Sequence, residues 1–285
     1  MRRLAGWPAQ APCGASVKQS STDFRHSMGV ARREDPAMSL SHHQGTTTDT
    51  AVQEFWLQNL SKADAFTQWV LGEISPWLGQ RVLEVGCGIG TYTAGMAVGS
   101  RQIVAMDMER TFIDEAARRL GQHPNVQLIC GDATEVGLPK SSGEAFDTVV
   151  LLDVLEHIED DVALLARLRS RLAPGGHLIL KVPAMPSLYS PMDEAIGHWR
   201  RYDKRGLTDV ISRAGLEIAR VWSFNAAAVP GWWWNGRVRK LRAPPGEQVA
   251  LFDRLVPVLR PLDRLARLFC GISLLAVARR PAPRA

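Results

Sequence analysis

The sequence predicts an α/β fold: a doubly wound, mostly parallel sheet with helices on both faces. Three observations carry that expectation. Between residues 81 and 183, short apolar runs alternate with helical patterns, as strands joined by crossover helices do. A glycine loop, Gly86-Cys87-Gly88-Ile89-Gly90, follows the first apolar run. Carboxylates recur just after the later runs, where sheets of this kind bind their ligands.

Residues 1 to 48 are rich in Ser, Thr, Gln and Gly and show no periodicity, so a disordered tail is expected there. The domain is expected over 49–285. "EFWLQNLSKADAFTQWVLGEI" places Phe55, Leu60, Phe66, Val70 and Ile74 at helical spacing and predicts one helix ending before Pro76. "RVLEV" and "QIVAM" read as strands one and two. "ERTFIDEAARRL" reads as an amphipathic helix with Phe112, Ile113, Ala116 and Leu120 on one side. "VQLIC" and "FDTVVLL" are further buried strands. "DDVALLARLRSRL" is a helix whose acidic first turn and basic last turn complement its dipole. "APGG" is expected to stop it before the strand "HLILKVP". "GLEIARVWSF" gives strand six, and "GISLLAVARR" gives strand seven only after a long helical insertion near 225–270.

The chain has 285 residues, 46% hydrophobic and 22% charged, the balance of a globular protein with a substantial core. Its net charge of +5 lies largely in the first and last segments, which points to solubility or a surface preference before nucleic-acid binding. The four cysteines are far apart and form no C-x-x-C, so neither a zinc site nor a disulfide framework is expected and a reducing cytosol fits. No run approaches the ~18 apolar residues of a spanning helix. Pro8, Gln10 and Pro12 interrupt the N-terminal apolar stretch, so no secretory leader is expected. The expected location is cytoplasmic, with peripheral contact at the inner membrane face left open.

The glycine loop excludes one obvious ligand. A dinucleotide fingerprint needs a third glycine at position 91, where this chain has Thr91. Glu84 also lies at the strand end, where it would repel a pyrophosphate. The ligand is therefore expected to carry no phosphate there. Asp107 follows strand two, where a carboxylate can accept from ribose hydroxyls. Asp132 follows strand three and can accept from an exocyclic adenine amine, and the Ala133 N–H can meet a ring nitrogen.

On the motifs "VLEVGCGIG", "VAMDME", "CGDATEVGLP", "FDTVVLLDVLEHIED" and "LAPGGHLILKVP", the sequence resembles the class I S-adenosylmethionine-dependent methyltransferases over about residues 75 to 225. The resemblance implies a seven-stranded Rossmann-like sheet and S-adenosylmethionine as the methyl donor. It implies Glu84, Gly86 and Gly88 at the methionine end, Asp107 on the ribose, and Asp132 with Ala133 at the adenine. The adjoining Cys87, Met108 and Asp153 complete the expected cofactor set. Two other readings are a nicotinamide-dependent dehydrogenase, disfavoured by Thr91, and a non-catalytic cofactor-binding subunit.

Nucleic-acid amino methyltransferases of this class carry an Asn/Asp-Pro-Pro-aromatic motif after strand four. This chain has Asp153-Val154-Leu155-Glu156 there, so a base amino group is not the expected target. A small-molecule, glycan or lipid-linked acceptor, methylated at oxygen, is expected instead. "SPMDEAIGHWRRYD" lies in the segment near 184–204 that is expected to close over the acceptor. There His198 is the candidate general base, and Arg200 and Arg201 are candidates to clamp an anionic acceptor group, with Tyr202 beside them. In the competing reading His198 and Tyr202 anchor the lid, and the arginines are solvated or paired with Asp193 and Glu194. "DVLEH" resembles the Glu-x-x-Glu-His of metal-holding relatives, but no metal is expected at Asp153, Glu156 and His157.

The insertion supplies Trp232, Trp233 and Trp234 beside Arg237, Arg239 and Lys240. It then places Leu251, Leu255, Val258, Leu262, Leu265 and Phe269 at helical spacing. Packing on the sheet or on a sister subunit in a homodimer is the first expectation for this helix. Rest on a bilayer surface, led by the tryptophans, is the second.

Overall fold

The computed structural model describes residues 50–99, 101–121, 123–134 and 145–282. The expected tail over 1–48 and the end of the "CGDATEVGLP" motif lie outside the described residues. Seven strands form one sheet in the order β3-β2-β1-β4-β5-β7-β6. They are β1 (Arg81–Val85), β2 (Gln102–Asp107), β3 (Val126–Cys130), β4 (Phe146–Leu152), β5 (Leu172–Pro183), β6 (Glu217–Phe224) and β7 (Ser273–Arg279). The strands from β3 across to β5 pair in parallel, and β7 inserts antiparallel between β5 and β6.

Alternate residues of each strand feed two cores. Leu83, Val104, Val149 and Leu178 pack on one face with Leu165 and Leu168 of α5 (Asp161–Arg169) and Leu207 and Ile211 of α7 (Lys204–Arg213). Val82, Ile103, Val150 and Ile179 pack on the other. That face receives Trp69 and Val70 of α2 (Asp64–Ile74), Met96 of α3 (Thr91–Met96) and Ile113 of α4 (Arg110–Leu120). Burial on both sides is why these strands read as continuous apolar runs rather than alternating ones.

Three local expectations need correction. The first helix is two, α1 (Thr50–Leu60) and α2, separated at Ser61–Ala63. The cause lies far away in sequence: the Asp253 carboxylate accepts the N–H groups of Ala65 and Phe66 at 3.4 and 2.8 Å, capping the start of α2. "APGG" does not precede β5 but lies inside it. Gly175 takes φ +78°, and the pairing with β4 shifts register between Phe146 and Thr148. The kink is absorbed as an irregularity within the strand.

The third correction concerns the insertion. α8 (Val229–Trp233) leads through a short π-helical turn to α9 (Gly246–Ala266). Only one side of α9 meets the body, through Phe252 and Val256, and Asp263 accepts from the N–H groups of Asn225 and Ala226. The leucines expected to pack face outward. Trp232 stacks on Trp56 with ring centroids 5.8 Å apart, and the Arg201 guanidinium lies 4.5 Å from its ring, while Trp233 and Trp234 are exposed. Among the described residues no helix is long and apolar enough to cross a membrane.

Candidate functional site

The strand order reverses between β1 and β4, so the carboxyl ends of β1, β2 and β4 open a crevice at that point. β1 carries Glu84 into it and ends in the glycine loop. Gly86 takes φ +71°, and a β-carbon there would stand 2.4 Å from Val154 Cγ2. Glycine is therefore required where the loop turns against the segment after β4. The loop is then tied down. Gly86 N and Cys87 N both donate to Met106 O at 2.8 and 3.0 Å, and Gly88 N donates to Asp107 Oδ2 at 2.8 Å.

Two acids of this wall are buried out of their ordinary state. Burial pushes the Glu84 carboxyl up from 4.5 to about 8, against the hydrogen bond that Thr93 Oγ1 donates to it at 2.6 Å. Burial also raises the Asp107 carboxyl, moderated by the N–H groups of Glu109 and Gly88. A neutral acid beside a loop with glycines at every second position fits a cationic ligand, whose charge would return the proton to solvent. An ammonium or sulfonium group fits this donor set; a pyrophosphate does not.

The other expected cofactor residues lie along the same sheet edge. Asp132 Oδ1 accepts from Thr134 N and Thr134 Oγ1, both at 2.7 Å, so part of the carboxylate is committed to its own turn. Ala133 is buried and Met108 is exposed. Asp153, at φ +57°, receives the Lys181 ammonium on Oδ1 at 2.6 Å. Cys87 is buried, and burial pushes its thiol well up, so it is packing rather than a nucleophile.

The segment after β5 folds back against the turn after β4, where Trp199 N donates to Glu156 O at 2.8 Å. Ala184 and Tyr202 bridge at its base, and α6 (Pro191–Ala195) starts with a capping box of Ser190 and Asp193. His198 Nδ1 lies 2.9 Å from Asp193 Oδ1, and its Nε2 lies 3.7 Å from Glu156 Oε1. Burial alone would raise the Asp193 carboxyl. The hydrogen bond from His198 and the charge of Arg201 instead hold it below its ordinary value. An anionic Asp193 fixes the proton on Nδ1 and leaves Nε2 as the basic nitrogen.

The arginines have partners within the chain. Arg201 Nε donates to Asp193 at 2.7 Å and its Nη1 to Ala184 O at 2.9 Å, fully inside the fold. Arg200 donates to Asp161 Oδ2 and Glu159 O at 3.0 and 2.8 Å. Tyr202 OH donates to the same Asp161 carboxylate at 2.8 Å. This geometry suits anchoring of the segment and not a clamp on an anion. His198 packs against Glu156 and His157 after β4, while Arg200, Arg201 and Tyr202 are tied to Asp161, Asp193 and Ala184.

Three further residues of this wall, Thr93, Lys181 and Tyr92, gain their roles from their surroundings. The Tyr92 hydroxyl is buried without a partner, near the charges of Asp153 and Glu84. Thr93 and Tyr92 had a signal, since they directly follow the glycine loop. Lys181 had none, because a lysine inside an apolar strand reveals its partner only when β4 and β5 pair. Glu156 is fully buried, and neither of its oxygens has a hydrogen-bond partner. With His157 and His198 it offers ligand atoms within 4.8 Å of one another. Burial, then the charge of Asp153, keeps Glu156 protonated well above the ordinary range, and burial with nearby His198 pushes His157 down to about 4.

Residues 83–180 match the family model described as a methyltransferase domain. The chain is 30% identical over 39% of its length to malonyl-[acyl-carrier protein] O-methyltransferase of Halalkalibacterium halodurans, covering 42% of that protein. It is 32% identical over 35% of its length to ubiquinone biosynthesis O-methyltransferase of Alkalilimnicola ehrlichii, covering 40% of it. The chain thus spans less than half the length of either relative. Among solved structures, it is similar to a chain of the complex between the Haloferax volcanii Trm112 methyltransferase activator and a methyltransferase. The TM-score is 0.60 at 14% identity, covering 84% of this chain and all of the other, a likeness of fold.

Proposed function

Because the chain carries a class I S-adenosylmethionine-dependent methyltransferase domain, we propose that it methylates a hydroxyl of a small-molecule, glycan or lipid-linked acceptor. S-adenosylmethionine would supply an electrophilic methyl group on a sulfonium. The chain's own residues would do the rest. Glu84 and the Gly86–Gly88 loop receive the cationic methionine end, Asp107 accepts from the ribose, and Asp132 with Ala133 meets the adenine. His198 Nε2 would take the acceptor hydroxyl's proton, leaving its oxygen nucleophilic toward the methyl group that the cofactor would supply.

The observation that carries this reading is the Asp193–His198 pair. A histidine oriented by a buried carboxylate, with its second nitrogen directed at the partnerless Glu156, is an arrangement for moving a proton. Isotope-labelled S-adenosylmethionine incubated with the enzyme and fractionated cell extract tests it. Label is expected in a hydroxyl-bearing fraction, with His198→Ala defective. Tight NAD binding in a calorimeter, with no response to S-adenosylmethionine, would defeat it.

One observation favours a second reading. Glu156, His157 and His198 form a carboxylate–imidazole set that suits a divalent ion of borderline softness better than magnesium. Chelator treatment followed by zinc or cobalt add-back separates the two. Turnover indifferent to both supports the proton-transfer reading.

A further inference from the structure

Lys181 lies in β5 between Leu180 and Val182 and is only 5% exposed. Its register neighbours are Leu152 of β4 and Leu275 of β7. Taking an ammonium out of water is costly unless an opposite charge goes with it. The opposite charge is Asp153, just past the end of β4, and the tie between them is double. The ammonium meets both carboxylate oxygens, Oδ1 at 2.6 Å, and the Lys181 carbonyl accepts the Asp153 N–H at 2.8 Å. The Phe66 ring of α2 lies 5.8 Å from the ammonium. Held in this way, Asp153 takes φ +57°, a left-handed conformation that few side chains adopt, and its side chain stays 36% exposed.

Asp153 borders the cofactor crevice. β1 and β4 pair in parallel up to Val85 and Leu151, so the glycine loop leaves one strand where Asp153 follows the other. Gly86 packs on Val154 so closely that a β-carbon would clash. The Tyr92 hydroxyl, buried without a partner, feels the charges of both Asp153 and Glu84. Two acids thus face the same wall, and each is kept from presenting a bare charge. Glu84 does so by holding a proton, and Asp153 by its lysine.

We propose that Lys181 is a positioning residue that sets the balance between cationic S-adenosylmethionine and neutral S-adenosylhomocysteine at this site. It acts through Asp153, whose charge it cancels at the edge of the crevice. A bare carboxylate there would hold the sulfonium more tightly than the thioether. That would stabilise the bound donor and not the transition state, in which the sulfonium charge is being lost. The Lys181 ammonium removes the bias, and its own charge is taken up by Asp153 and Phe66. The inference rests on the cofactor and needs neither the acceptor nor His198.

The test is calorimetric titration of the full chain with S-adenosylmethionine and, separately, S-adenosylhomocysteine, at one pH and ionic strength. Lys181→Met keeps most of the side-chain volume and removes the charge. It is expected to raise the preference for S-adenosylmethionine over S-adenosylhomocysteine about tenfold. Lys181→Gln, which keeps a hydrogen-bond donor for Asp153, should shift the ratio in the same direction. It carries the test if the methionine variant fails to fold, which melting temperatures would show. Adding Asp153→Asn to either variant removes the second charge and should return the ratio to within about twofold of wild type. A tie that only held the turn would move both affinities together. A ratio unchanged in the lysine variants, or still raised once Asp153 is also replaced, would therefore overturn the inference. Failure of both ligands to bind wild type would instead defeat the cofactor reading on which it rests.

Discussion

The glycine-loop wall and α9 violate the burial rule in opposite directions. At the carboxyl ends of β1, β2 and β4 the chain puts ionisable groups where water is scarce: buried Glu84, half-buried Asp107 and, after β4, buried Glu156. Along α9 it leaves hydrocarbon where water is free to reach it. Buried polar groups and exposed apolar ones both cost stability. The first kind of violation shapes a site for a small charged ligand, and the second leaves a bare apolar stripe. The two regions are tied down by different donors: the wall by the loop's own N–H groups on Met106 and Asp107, α9 by Asp253 and Asp263 accepting from backbone N–H groups of other elements.

The largest expected effect lies on the side of the buried groups. His198→Ala should lower turnover by ~10²–10⁴ while leaving S-adenosylhomocysteine affinity within about twofold of wild type, since a general base acts on rate. Comparable rates in the two enzymes would make His198 a packing residue of the segment after β5. Gly86→Ala comes next. Positive φ and the approach to Val154 together should cost on the order of 1–3 kcal/mol, read as a lower melting temperature and weakened cofactor binding. Asp107→Ala should weaken S-adenosylhomocysteine binding by about 1–3 kcal/mol, measured by calorimetry.

Glu84 gives a test with a defined sign. Its carboxyl titrates near 8 in the fold against an ordinary 4.5. Between those values the folded state keeps a proton that the unfolded chain has released, so this group's contribution to stability falls as pH rises from about 4.5 to about 8. Glu84→Gln should flatten that part of the stability curve, and a parallel slope in the variant would place the titration elsewhere. The smallest effect belongs to α9: Leu262→Ser should change stability by no more than ~0.5 kcal/mol. A larger loss would mean that the outer stripe is covered in the folded chain, and the contrast between the two regions would collapse.

The sheet is legible in the chain alone, because both of its faces are buried and each strand therefore shows as an apolar run between turn residues. So are Glu84, the glycines and Asp107, since those positions follow directly from a strand end and its turn. Which of the residues after β5 are held by which carboxylate emerges only on folding. His198, Arg200, Arg201 and Tyr202 are contiguous or nearly so and look interchangeable as candidates, yet Asp161 takes Arg200 and Tyr202, and Asp193 orients His198 and takes Arg201. Periodicity likewise gave α9 two apolar sides without saying which faces the core. That choice is made by Asp253 and Asp263, whose carboxylates find backbone donors only once α2 and the turn after β6 are in place. Local signals report a residue's neighbours in the chain. Partner choice depends on charge and hydrogen-bond satisfaction between segments that meet only on folding.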